Sequence, residues 1–129
     1  MMMTILQIIA VGGLYQWDEM MQYCAIEGSI GICPDGWHIT ISDQEWKQLE
    51  AVVDSQFGYL DFEWEGNYNR GFNVGLNLKA NIGWNPGGNG TDLFGFTALP
   101  GGYHYNGNYQ YQYYSGNYWT STEQVLLLR

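Results

Sequence analysis

An α+β domain with many loops is the fold class this sequence predicts, and three observations carry it. The 129 residues suit one domain, which would bury about two-thirds of the surface the unfolded chain exposes. Eighteen glycines and 17% aromatic residues beside only 13% charged ones indicate many turns and flat, half-buried strands. Helical periodicity is confined to two early segments, and period-two patterning follows near the end.

The apolar stretch Ile5, Leu6, Ile8, Ile9 and Val11 reads as an N-terminal strand that stops at Gly12-Gly13. It lacks a preceding Lys or Arg and is short for a secretory signal. After it, Trp17, Met20, Met21 and Cys24 recur at helical spacing, with Asp18 and Glu19 where a helix dipole favours them. A short amphipathic helix is expected there. Pro34-Asp35-Gly36 breaks the pattern, and Trp37, Ile39 and Ile41 alternate as a short strand would, with His38 between them as a hydrogen-bonded structural group.

"SDQE" at 42–45 is a capping box in which Glu45 reaches back to the amide of Ser42. The helix it starts should turn Trp46, Leu49 and Val53 inward, leave Asp43, Lys47, Gln48 and Glu50 in water, and end near Phe57 with Gly58 as cap. Residues 59–92 are expected to be loops. Alternation returns at Phe94 and Phe96, and Pro100-Gly101-Gly102 closes that segment.

"YHYNGNYQYQYYSGNYW" at 103–119 holds seven of eleven tyrosines and no formal charge. Asn106-Gly107 marks a hairpin turn. A three-residue loop, Asn106 to Asn108, would pair Tyr105 with Tyr109 and Tyr103 with Tyr111, burying the rings on one face and leaving His104, Asn106, Gln110 and Gln112 outside. That register is preferred over the two-residue loop because it groups aromatic with aromatic. The following Tyr114, Ser115 and Asn117 have the composition of an adaptable recognition loop and, with His104, are the candidate ligand-binding residues.

Function classes narrow by exclusion. A net charge of −9 disfavours nucleic acid and anionic membrane surfaces, and no apolar run approaches the roughly 18 residues of a spanning helix. Cys24 and Cys33 lack metal-pair spacing; they are either two buried thiols or a disulfide. Asp61, Glu63 and Glu65, or the neighbourhood of Asn89 and Asp92, are the places where calcium would bind, without an EF-hand pattern. No nucleophile–base arrangement, phosphate loop or histidine cluster is present, so a noncatalytic domain is expected.

"GLYQWDEMMQYC", "GICPDGWHI", "DQEWKQLE", "GWNPGGNGTDLFGFTALPGGY" and "GNYWTSTE", in that order across Gly13 to Glu123, together resemble the Fibrobacter succinogenes major paralogous domain family. That family is similar to the C-type-lectin-like group that includes the formylglycine-generating enzyme and the variable proteins of diversity-generating retroelements. The resemblance implies two helices against twisted antiparallel sheet, with Trp37, Trp46, Phe94, Phe96, Leu99, Gly101, Gly102 and Trp119 as core or turn residues beside Trp17 and Leu49.

It also implies an exported or surface-exposed bacterial binding protein for a glycan or protein ligand. A purely structural envelope module and a diversified retroelement binding protein are the alternatives. The chain departs from the family pattern at His104, where arginine is usual, and at "QVLLLR", where members continue to a cysteine-bearing segment. The resemblance therefore implies missing or replaced C-terminal strands, a fragment or altered chain, self-association through an exposed sheet edge, and Cys24 as a substitute partner for Cys33.

Overall fold

The computed structural model describes residues 13–66, 70–123 and 125–129; the expected strand at 5–11 lies outside them. Helix α1 (Trp17–Met20) is followed by a π-helical turn (Ser42–Trp46) that runs into α2 (Lys47–Val53). A 3-10 turn (Phe62–Glu65), helix α3 (Val74–Leu78) and four strands complete the order: β1 (Tyr103–Tyr105), β2 (Asn108–Gln110), β3 (Gly116–Trp119) and β4 (Val125–Leu128). The result is mixed α+β and loop-rich, with two antiparallel two-stranded sheets, β1-β2 and β3-β4. Of two isolated parallel bridges, Lys79 to Ala98 joins two loops and Gly102 to Gly116 links the start of β1 to β3.

Two apolar clusters form the core. The larger joins Val53, Trp64, Val74, Leu78, Trp84 and Leu128, with Leu49, Leu99 and Tyr118 packed against it. The smaller joins Met20, Met21 and Ile39, flanked by Trp17 and Trp119. Indole N–H groups tie the chain's early and late parts together: Trp17 Nε1 donates to the Thr120 carbonyl at 2.8 Å and Trp119 Nε1 to the Tyr15 carbonyl at 3.0 Å. Half-buried tryptophans thus supply both area and hydrogen bonds where little regular structure exists.

Several elements differ from expectation. The Glu45 carboxylate reaches the amide of Ile41 at 2.7 Å, one residue before the capping-box position, while its other oxygen lies 2.6 Å from His38 Nε2. Burial works against that carboxylate, yet the Ile41 amide and His38 hold it below its ordinary pKa. Glu50, expected in water, is buried because it lies four residues after Trp46 and three before Val53, on the inward face. Arg70 forms a fork with it, Nε to Oε1 at 3.0 Å and Nη2 to Oε2 at 2.5 Å. Burial pushes the Glu50 carboxyl up and the guanidinium opposes the shift.

Helix α2 ends at Val53, four residues before Phe57, because Asp54 takes over the next amides. Its Oδ1 accepts from Gln56 and Phe57 at 2.8 and 2.9 Å, and its Oδ2 from Phe72 and Asn73 at 2.7 and 3.0 Å. That second pair delivers the chain into α3, a helix the loop reading of 59–92 did not anticipate. No strand forms over 37–41 or 92–99, where side chains instead clamp turns. Asp92 binds the Thr97 amide at 2.6 Å and hydroxyl at 2.7 Å, which leaves Phe94 largely exposed. Trp37 is 71% exposed and is not a core residue; its turn, closed by Trp37 N to the Pro34 carbonyl, projects it outward. Phe96 is also partly exposed but packs edge-on against Trp46 and Tyr118 at 6.0 and 6.2 Å.

The last residues are a strand. β4 pairs with β3 throughout, Gly116 with Leu128 to Trp119 with Val125, and places Leu128 in the main core. Among the described residues β4 is the one strand that follows the "STE" segment. Cys24 and Cys33 are unpaired in this structure, and both are partly exposed.

Asp54 offers a pH test. Partial burial raises its pKa, but four backbone donors together bring it below the ordinary value. A carboxyl depressed on folding contributes stability above its unfolded pKa of about 3.9, and that contribution is lost as pH falls through the lower folded value. Asp54→Asn should therefore cost about 2 kcal/mol at pH 7, with the gap to wild type closing below about pH 4 in urea melts.

Candidate functional site: a tyrosine hairpin

The hairpin β1-β2 turns on two residues. Asn106 and Gly107 have φ of 50° and 80°, the left-handed pair that a tight hairpin turn matched to strand twist requires. Tyr105 pairs with Asn108, His104 with Tyr109 and Tyr103 with Gln110. The expected three-residue loop is corrected: the turn preference of Asn-Gly sets the register, and Tyr105 and Tyr109 fall on opposite faces.

Directly opposed side chains share a face, so one face carries Tyr103, Tyr105, Asn108 and Gln110. The Tyr103 hydroxyl donates to Gln110 Oε1 at 3.1 Å, in accord with that register. Tyr111, just beyond β2, has φ 55°, and this left-handed step brings its ring onto Tyr103, with centroids 5.7 Å apart and planes at 28°. The aromatic grouping foreseen from a longer turn is thus reached by a backbone irregularity after the strand. The other face carries His104 against Tyr109 at 4.7 Å.

The rings do not pack inward. Tyr105, Tyr109, Tyr111, Tyr113 and Tyr114 are 60, 65, 60, 46 and 58% exposed, so the expectation of a buried tyrosine wall is corrected. A two-stranded ribbon at the edge of the core leaves these rings largely uncovered, while Tyr103 and His104 at its root are half-buried. Tyr113, like Tyr111, is left-handed, with φ 70°. Non-glycine residues in that region cost on the order of 1–2 kcal/mol each.

Of the four residues expected to bind ligand, the structure exposes Tyr114 and turns the others partly or wholly inward. Ser115 and Asn117 are buried; Asn117 Nδ2 donates to the Gly102 carbonyl and to Ser115 Oγ, both at 3.1 Å. His104 is half-buried, with Nδ1 buried and unpartnered among the described residues. Tyr105 and Tyr109 are exposed site residues that the composition of 114–117 does not point to, although "NG" alone sets the register that puts them on opposite faces.

Gly102 roots the hairpin. Its φ is 65°, and a Cβ there would meet the Gln110 carbonyl oxygen at 2.2 Å and the Gln112 nitrogen at 2.6 Å. Its amide donates to the Ser115 carbonyl at 2.7 Å, while Tyr113 N donates to the Pro100 carbonyl at 2.9 Å. Beneath this root lies a cleft of about 610 Å³ whose walls include Trp46, Phe96, Leu99, Tyr118 and Trp119. The Tyr118 hydroxyl is engaged with the Leu99 carbonyl at 3.1 Å, and burial pushes its pKa up to about 12.

The carboxylates considered for calcium each serve a protein donor: Asp61 the Gly58 amide, Glu63 the Gly71 amide and Glu65 the Lys47 ammonium. Asn89 Oδ1 accepts from Trp84 N. Among the described residues no three His, Cys, Asp or Glu side chains converge as a metal site. No described helix is long and apolar enough to cross a membrane.

Gly102 and Gly107 share a left-handed backbone but differ in surroundings, since nothing lies within 4 Å of a Cβ built at Gly107. Gly107→Ala should cost about 1 kcal/mol, and Gly102→Ala at least about 2 kcal/mol more because backbone atoms must move. Equal losses in chemical denaturation would show that the close approach is not needed.

Comparison with known proteins gives one result. Neither the curated proteins nor the solved structures contain a significant match. The model of the Fibrobacter succinogenes major domain matches residues 6–128, further in both directions than the motif-bearing stretch 13–123, so β4 and the early apolar segment from Leu6 onward fall within it. The chain therefore belongs to the Fibrobacter succinogenes major domain family.

Proposed function

We propose that this is a noncatalytic, exported or surface-exposed binding domain that meets its ligand, glycan or protein, through the tyrosine hairpin. The observation that carries the reading is the combination at Tyr111 and Tyr113 of left-handed backbone with exposed rings. Glycine would relieve the backbone, and little core area would be lost with the rings. Side chains retained at a conformational cost without a core to fill are accounted for by a contact made outside the chain. Rigid amphipathic rings among small amides also form the chemistry of adaptable paratopes.

Noncatalytic action fits the groups that the hairpin exposes, which are phenols and amides, while its imidazole, His104, is half-buried against Tyr109. Export is part of the proposal on the strength of the family's motifs. The reading also groups the domain with C-type-lectin-like folds, supported by motif order and by small sheets set among long loops.

The test uses printed arrays of glycans and of peptides, probed with wild type, a Tyr105→Ala/Tyr111→Ala variant and a Tyr59→Ala control remote in sequence. The reading predicts array signals that the hairpin variant loses by tenfold or more, the scale of two aromatic anchors, while the control keeps them. Silence on both arrays, or equal signals from the hairpin variant, would sink it.

A further inference from the structure

We infer that the face bearing Tyr103, Tyr105 and Tyr111, edged by Asn108 and Gln110, is a stacking row for an uncharged polysaccharide. This rests on the hairpin being the ligand contact and names the ligand's chemistry.

The first support is geometry. Tyr103 and Tyr105 are alternate residues of one strand, so they stand on one face about 6.6 Å apart. Tyr111 closes the other end of the row by stacking on Tyr103, their centroids 5.7 Å apart and planes at 28°; Tyr103 is half-buried, so Tyr105 and Tyr111 are the rings that face a ligand. Asn108 and Gln110 lie directly opposite Tyr105 and Tyr103, which sets an amide beside each strand tyrosine. A pyranose has an apolar face of axial C–H bonds and an equatorial rim of hydroxyls. Successive sugars of an extended chain would lay their C–H faces on the rings while the hydroxyls reach the amides.

The second support is charge. Residues 93 to 122 contain no Asp, Glu, Lys or Arg, although the whole chain carries −9. Three of the four cations are engaged elsewhere: Lys47 with Glu65, Arg70 with Glu50, and Lys79 with the Arg129 carbonyl while its ammonium sits 4.8 Å over Trp84. The anionic remainder repels sulfated or uronic acid polymers at long range, and the hairpin offers no cation to recover that cost. A protein partner would ordinarily be steered and held in register by complementary charge, which this surface lacks. Uncharged sugar is the chemistry that needs none.

Affinity electrophoresis tests this with hydroxyethyl cellulose or galactomannan cast in the gel as the neutral probe and polygalacturonate as the anionic one. The inference predicts retardation by a neutral polymer, unchanged by added salt and absent or weaker with polygalacturonate. Tyr105→Ala and Tyr111→Ala should each weaken it by about fivefold or more, the loss typical of one ring in a stacking platform, and Tyr59→Ala should not. Circular dichroism melts of each variant establish that the fold is intact, and Tyr105→Phe should retain most of the retardation if stacking is the interaction. No retardation by either neutral polymer, stronger retention by polygalacturonate, or retention that salt abolishes would overturn the inference. Tyrosine-dependent signals confined to the peptide array would overturn the polysaccharide assignment and leave the hairpin as a binding face. Loss of all tyrosine-dependent binding would remove both.

Discussion

The close approach of Gly102 to the Gln110–Gln112 backbone is the constraint on which the exposed part of this molecule depends. With a side chain at 102, the carbonyl of Gln110 and the amide of Gln112 could not come within 2.2 and 2.6 Å of the Cβ position. Because they do, the end of β2 is pressed onto the strand start, and the chain leaves β2 through a left-handed Tyr111. The buried amide of Asn117 fixes the same junction by donating to the Gly102 carbonyl. Ser115 and Asn117 therefore set from beneath where the rings stand.

A second theme is the substitution of side chains for regular secondary structure. The strands are three or four residues long and the α-helices no longer than seven, so many backbone groups find no ladder partner. Asp54, Asp92, Glu45 and Glu63 accept the amides that a longer helix or strand would have bonded. Buried amides left unpaired would each cost on the order of 1–3 kcal/mol. The acidic balance of the chain thus has a structural use apart from any ligand: carboxylates are its turn-makers. Glu50 plays a related part, since its bidentate pairing with Arg70 anchors the chain that leads toward Asp54's second pair of amides.

Legibility followed the range of the interaction. Helical spacing of Trp46, Leu49 and Val53 placed the main inward face, and "NG" placed the hairpin, because both are local rules. Glu50 was misread since its partner lies twenty residues away and only an ion pair makes an acid acceptable on the apolar stripe. Phe94 and Trp37 were misread because turns closed by Asp92 and Pro34 rotate them outward, and period-two alternation does not distinguish a strand from a run of clamped turns. The tyrosine register was missed for a more instructive reason. Aromatic grouping favours the longer turn, whereas the chain satisfies the turn first and regroups the rings afterwards through Tyr111.

Under the proposed function, the ring of Tyr111 is kept for a ligand against the preference of its own backbone. The most direct measurement is the unfolding free energy of Tyr111→Gly by urea titration beside wild type. Relief of the left-handed strain, about 1–2 kcal/mol, should offset the ring contact with Tyr103, about 0.5–1.5 kcal/mol, together with the greater unfolded-chain freedom of glycine, about 0.5–1 kcal/mol. The expected change therefore lies between a gain of about 1 kcal/mol and a loss of about 1.5 kcal/mol. A loss above about 2 kcal/mol would contradict it, because the ring would then be holding the fold together.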